Sequence, residues 1–451
     1  MTPARTIDGA SLAALAKAVQ TGLAKTIRPG TPLGIWVDDA VDFAACVIGA
    51  MAVRAEAFII LPGATPIRAT ELCAIEGGSA VLCDATRAAR LVDGTHRACG
   101  PGLVLVETRS QPAASYDGQG AVHFYTSGTD GQPKGVARTK RSLEREESTV
   151  GSHLGMTPGC AVLCAVPVTH GYGYTAGLFA PLSFGGTAIV ARPRLAASLA
   201  DLLTVHEPEI VVAVPAQYAA WSALRRTYTG RLPRLWLCGG APLPPAVRAR
   251  FQANWGSVIA EQYGMTECGA VSVDLDGAET LGRPYPGVTV FIDGGDTLAD
   301  EGEVVVDTPY GPRGYIGDLA GDRSSPFTPS GFRSGDTGWL DAHGRLHLVG
   351  RRAHQLNVRG QQVDPAEVER ALWAVDGVHE VAVIGIDRAE GDQWIAAFVV
   401  CPDSITDDAL RRATVDLESF KRPQRVTRLP ALPKTATGTD VDALRRLLLN
   451  G

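Results

Sequence analysis

The chain has 451 residues, 45% of them hydrophobic and 20% charged, and a formal net charge of −6. That length exceeds one ordinary hydrophobic core and predicts two or more domains. The acidic balance excludes a dedicated nucleic-acid binder, which needs Lys and Arg to neutralise phosphates. The longest apolar run, residues 43–53, is too short to span a bilayer, and the N-terminal MTPARTIDGA lacks the apolar segment of a signal peptide. A cytoplasmic protein with no membrane partner is expected, its nine cysteines reduced because no CxxC pair occurs among them.

Leu12, Leu15, Val19 and Leu23 recur at helical spacing, and strand-like and helical runs then alternate over residues 33–37, 41–52, 58–61, 65–75 and 80–82. This alternation predicts an α/β fold whose ligands bind in loops beyond the strand ends. One such loop follows the apolar residues 122–125, within HFYTSGTDGQPKG at 123–135. Its glycines permit positive φ and bring N–H groups up to an anion, Ser127 and Thr129 add hydroxyls, and Lys134 adds a mobile positive charge. A P-loop would need glycine before the lysine and a hydroxyl after it, where this chain has Pro133 and Gly135. Read alone, the run is also compatible with a solvated hairpin loop. The basic stretch 138–145 offers further anion contacts.

After a helical stretch at 142–153, VPVTHGYGYTAGLFAPLSFGG interrupts an apolar segment with His170, tyrosines and glycines. LWLCGGAPLPP, residues 235–245, reads as a strand entering a Gly-Gly turn, and EQYGMTECG, residues 261–269, supplies a hydroxyl and a hard carboxylate of the kind a magnesium–phosphate complex needs. A helix N-cap plus a surface Glu is the bland alternative. LGRPYPGV follows at 281–288, then FRSGDTGWLDAHGRLHLVGRRAHQLNVRGQQVDPAEVE at 332–369, in which Asp336 can accept from both hydroxyls of a ribose.

Taken in order, these phrases resemble the adenylate-forming superfamily of acyl-CoA and aryl-CoA synthetases, peptide-synthetase adenylation domains and luciferases, over nearly the whole chain. The resemblance implies a large multi-subdomain α/β N-terminal domain, residues 1–350, followed by a small mobile C-terminal α+β lid, residues 351–451. It implies that Thr126, Ser127, Gly128, Thr129, Gly131 and Lys134 hold the β and γ phosphates of ATP. Gly240, Ala241 and Pro242 would border adenine, with Tyr263 stacked on it and Glu261, Gly264 and Met265 in the same phrase. Thr266 would contact the α-phosphate, Glu267 would bind Mg2+, Asp336 and Arg351 would hold the ribose of ATP or AMP, and His170 would line the acyl pocket. Apolar stretches at 170–177, 214–218 and 236–240 suit an aryl or medium-sized acyl group.

Four positions depart from that pattern. Asp130 stands where Thr, Ser or Glu is usual, Ala353 replaces the hinge Asp or Lys, Gln362 replaces a frequent Arg, and PKTATGT ends in Thr439 where the family has a catalytic lysine. Losing one such preorganised donor costs roughly 10²–10³ in rate, although Lys434 lies nearby. The leading expectation is a ligase that activates a small acid as an adenylate and passes it to CoA or a carrier-protein thiol. The alternatives are a nonadenylating ligase fed with acyl adenylate, an ATP-dependent diazotase joining nitrite to an aromatic amine, and a nucleotide-binding regulator.

Overall fold

The computed structural model describes residues 5–91, 94–107, 119–127, 133–191, 199–223, 228–294, 300–312, 314–316, 326–351, 356–358, 361–387, 393–434 and 439–449. The first helix, Gly9–Leu23, starts where Asp8 accepts a hydrogen bond from the Ser11 N–H at 2.7 Å. Its buried stripe of Leu15, Val19 and Leu23 packs on the helix Ala40–Ala52. The approach is close because residue 49 is glycine, where a Cβ would lie 2.6 Å from Val19 Cγ1.

Two mixed sheets form the bulk of the chain. The eight-stranded one runs Gly314–Tyr315, Pro133–Thr139, Ala121–Ser127, Glu56–Ile59, Pro32–Trp36, Ala80–Asp84, Leu103–Glu107, Thr95–Ala98, parallel at its centre and antiparallel at both edges. The seven-stranded one runs Arg283–Pro284, Gly269–Val273, Ile259–Met265, Leu235–Gly239, Ile210–Ala213, Ala161–Cys164, Thr187–Val190, with its last five members parallel. Side chains from both sheets merge into one core. An aromatic cluster of Tyr218, Trp221, Trp236, Phe251 and Trp255 covers another face of the second sheet. Such fully buried strands read as continuous apolar runs, and residues 210–213 and 236–239 are buried without alternation.

A third, antiparallel sheet joins Thr289–Asp293, Gly302–Asp307, Gly331–Leu340 and Phe327–Thr328, with Leu346–Arg351 paired to the far part of Gly331–Leu340. Burial along Gly331–Leu340 alternates residue by residue, the mark of a strand with one face inside. Beyond Arg351 the chain builds a separate small α+β core. It comprises the hairpin Leu356–Val358 with Gln361–Val363, the helix Pro365–Trp373, and a three-stranded sheet of Glu380–Asp387, Gln393–Val400 and Arg425–Arg428. The α/β expectation, with a large N-terminal part and a small C-terminal one, is the architecture observed. Nine buried or half-buried cysteines carry free thiols.

Candidate active site

The stretch read as a loop is mainly a β-hairpin. Ala121–Ser127 and Pro133–Thr139 pair through Thr126↔Lys134 and Ser127↔Pro133, which brings the backbone of both to the tip. Gly128, Thr129, Asp130 and Gly131 lie outside the described residues, as do the side chains of Thr126 and Ser127. The hairpin root is anchored from inside. His123, fully buried, places Nδ1 2.9 Å from Glu76 Oε2 and Nε2 3.0 Å from Glu56 Oε2, and the Tyr125 hydroxyl donates to the other oxygen of Glu76. Burial alone would lower the imidazole pKa, but the two carboxylates raise it above the ordinary histidine value.

Within the basic stretch 138–145, Lys140 and Arg141 stay exposed and Arg138 is turned inward. Arg138 is 3% exposed, and its guanidinium pairs with Glu146 at 2.7 Å while donating to the carbonyls of Thr266 at 3.2 Å and Tyr310 at 3.0 Å and to Ser142 Oγ at 3.1 Å. Glu146 in turn accepts from the Ala270 N–H at 2.9 Å. Hairpin, helix Lys140–His153 and the turn after Met265 are thereby clamped together. Residue 269 has to be small there, because a Cβ would sit 2.7 Å from the Glu146 carboxyl.

The parallel register Cys238↔Glu261 and Gly239↔Gln262 sets the Gly-Gly turn beside the strand Ile259–Met265. Gly240 holds φ at 86°, and Gly240, Ala241 and Pro242 are exposed at the strand end. Glu261 points inward. Its carboxylate takes Arg248 at 2.7 Å and the Leu243 N–H at 3.2 Å, so it braces the turn from below; burial pushes its pKa up to about 7. Past a register shift at Tyr263/Gly264 the strand continues through Gly264 to Met265, leaving Thr266 and Glu267 half-buried in the following turn.

Tyr263 donates its hydroxyl to Asp336 Oδ2 at 2.5 Å, and Asp336 is cross-strand neighbour to Arg351, whose side chain lies outside the described residues. Glu267 Oε1 accepts from the Tyr315 hydroxyl at 2.9 Å, and Lys134 Nζ lies 5.6 Å from the Tyr315 ring centroid. Tyr315 has no motif signal beyond its aromatic character and was missed by sequence reasoning. His170 starts a helical turn, its carbonyl accepting from the Tyr174 N–H at 2.7 Å, which continues as the π-helix Gly173–Phe179. Residue 177 packs so closely there that a Cβ would lie 2.1 Å from Cys164 Sγ. Tyr172 reaches under the Gly-Gly turn, its hydroxyl 3.1 Å from the Leu237 carbonyl. Among the described residues no group of three or more His, Cys, Asp or Glu is arranged to hold a metal ion by itself. The half-buried Glu267 carboxylate is a hard oxygen donor of the kind divalent cations accept.

Two tyrosines tie these side chains together: Lys134 and Glu267 both meet Tyr315, and Asp336 meets Tyr263 in the segment that leads into Glu267. The chain belongs to the AMP-binding enzyme family. It matches that family over residues 3–316 and the AMP-binding enzyme C-terminal domain over residues 367–439. It is 31% identical over 366 residues to a 4-hydroxybenzoate–CoA/benzoate–CoA ligase of Rhodopseudomonas palustris, covering 77% of this chain and 67% of that one. To a sulfoacetate–CoA ligase of Cupriavidus necator it is 30% identical over 335 residues, covering 70% and 65%. In fold it is similar to the anthranilate CoA ligase AuaEII in complex with anthranoyl-AMP, with a TM-score of 0.80 at 22% identity over 99% of this chain and 92% of that one. ATP-bound MatB from Rhodopseudomonas palustris is similar too, with a TM-score of 0.81 at 24% identity over 97% and 93%.

Proposed function

We propose that the protein activates a small carboxylic acid, aryl or medium-sized acyl, as its adenylate and transfers the acyl group to the thiol of CoA. The observation that carries this reading is the Tyr263–Asp336 hydrogen bond, which joins the adenine-side and ribose-side phrases into one nucleotide cradle. Support also comes from relatives that are named as acid–CoA ligases. In the first step a carboxylate oxygen attacks the α-phosphorus of ATP and pyrophosphate leaves; in the second the thiol attacks the acyl carbon and AMP leaves. Lys134 balances charge on the departing pyrophosphate, the Thr266 hydroxyl faces the α-phosphate, and Asp336 fixes the ribose with its orientation set by Tyr263. Bound Mg2+, held by Glu267 and phosphate oxygens, would supply further charge neutralisation. The region after Arg351 acts as a lid that exchanges between the two steps.

Thr439 favours a second reading. A hydroxyl cannot give the charge-assisted contact that an ammonium gives, and Lys434, the nearby candidate replacement, is ion-paired to Glu380 on the surface of the C-terminal part and backbone-bridged to Thr439. On that reading acid adenylation is slow and the chain passes acyl adenylate made elsewhere to CoA or a carrier-protein thiol; a separate alternative is the ATP-dependent coupling of nitrite to an aromatic amine, which has no carboxylate for a lysine to grip. ATP–pyrophosphate exchange across a panel of aryl and aliphatic acids, followed by thioester assay with CoA, tests the first reading. Acid-dependent exchange is expected, and Thr439→Lys should raise it by about 10²-fold while leaving thioester formation from synthetic acyl adenylate unchanged. No exchange with any acid, alongside thioester formation from acyl adenylate, would replace the first reading with the second.

A further inference from the structure

We propose that Tyr315 is a positioning residue that fixes the Glu267 carboxylate for a divalent cation and steadies Lys134 for the phosphates, an inference resting on the assignment of those two as nucleotide contacts. Tyr315 comes from neither motif. It arrives on the two-residue strand Gly314–Tyr315, paired through Tyr315↔Val136 to the outer strand of the phosphate hairpin. The Ile316 N–H secures that strand with a 2.8 Å hydrogen bond to the Gly135 carbonyl. The approach is close, since a Cβ at residue 135 would lie 2.6 Å from Ile316 Cδ1 and would displace the end of that side chain.

The ring is held by further aromatic contacts. Phe327 meets it edge-on, centroids 5.2 Å apart at 64°, and Phe327 rests on Phe332 at 4.9 Å, in the same strand as Asp336. With the ring so placed, the hydroxyl donates to Glu267 Oε1 at 2.9 Å and the ring attracts the Lys134 ammonium at 5.6 Å from its centroid. A carboxylate otherwise turns freely about its last torsion. Occupying Oε1 with a neutral donor holds the group in one orientation, leaves Oε2 for a cation, and does not cancel the negative charge as Lys or Arg would. The aromatic face holds Lys134 in the same manner, attracting the ammonium without neutralising it. Hydrogen-bond partners of metal ligands are worth about 10–100-fold in metal affinity.

Two substitutions separate the two contacts. Tyr315→Phe keeps the ring and removes the hydroxyl; Tyr315→Leu removes both. The readouts are Mn2+ affinity in the presence of ATP, by electron paramagnetic resonance, and ATP affinity in EDTA, by calorimetry. Tyr315→Phe should weaken Mn2+ by about tenfold and leave metal-free ATP binding within about twofold, whereas Tyr315→Leu should weaken both. In a Glu267→Gln background Tyr315→Phe should have no further effect on Mn2+. Unchanged Mn2+ affinity in Tyr315→Phe, with wild-type protein binding Mn2+–ATP normally, would overturn this role alone. Wild-type protein that binds no ATP would overturn both the role and the site assignment beneath it. If Tyr315→Leu does not fold, the Tyr315→Phe and Glu267→Gln arms decide the question by themselves.

Discussion

Glu147 is a carboxyl set into the core-facing stripe of Lys140–His153, 8% exposed and beside Glu146 and Glu144. Burial first, then repulsion from those two glutamates, pushes its pKa up to about 8 against the partial opposition of Arg138. Folded protein therefore binds a proton at this site that the unfolded chain releases above the ordinary glutamate value of about 4.5. Since the native state holds more protons across that window, stability falls as pH rises from about 4.5 to about 8 and is flat beyond it. Glu147→Gln removes the titration. Its stability relative to wild type should improve with pH through that window, by roughly 4 kcal/mol between pH 5 and pH 8.5, as read by urea unfolding at those two pH values; an equal difference at both would refute the assignment.

At the scale of elements, the Arg138–Glu146 pair does the joining. Both members buried, it links the hairpin strand Pro133–Thr139, the helix Lys140–His153, the carbonyl of Thr266 and the N–H of Ala270. Removing one partner leaves a buried charge uncompensated, which costs about 3–5 kcal/mol. Arg138→Met should therefore lower the denaturant midpoint markedly, and Arg138→Met combined with Glu146→Leu should recover most of the loss, because both charges are then gone. A double variant as unstable as the single one would show that the hydrogen bonds to Thr266 and Tyr310 outweigh the ion pair. The His123 cluster anchors the other end of the strand Ala121–Ser127, so the hairpin root is held by buried polar bonds and not only by apolar packing.

At the scale of the whole molecule, Trp373 joins the two cores. It closes the helix Pro365–Trp373 and packs against both the aromatic cluster of the second sheet and the C-terminal core. The accompanying Arg250–Asp376 pair, at 3.4 Å with Asp376 97% exposed, is of the kind that contributes little. Gly350 meets the C-terminal part on the other side, where a Cβ would lie 2.5 Å from Asp364 Oδ2 at the N-cap of that helix. Truncating Trp373 removes an apolar contact that both cores share. Trp373→Ala should split one calorimetric transition into two, the C-terminal region melting first; a single transition at the wild-type temperature would show that the cores are coupled elsewhere.

The amino-acid sequence by itself determined the α/β class, the large-plus-small organisation and the family, because alternating apolar runs and nucleotide chemistry are both written locally. Phosphates and ribose call for glycines, hydroxyls and carboxylates within a few residues of one another, and those phrases stand out in chain order. Three things only the tertiary structure decided. Glu261 sits in a motif yet turns inward to Arg248, because a period-two strand sends neighbours to opposite faces and the register is set by pairing. Arg138, part of what reads as an exposed basic run, is buried because Glu146 and two carbonyls converge on it from separate elements. Tyr315 reaches Glu267 and Lys134 from a strand remote from both in sequence. Each depends on through-space pairing of polar groups distant along the chain, and no local pattern of residues records which partners folding will bring together.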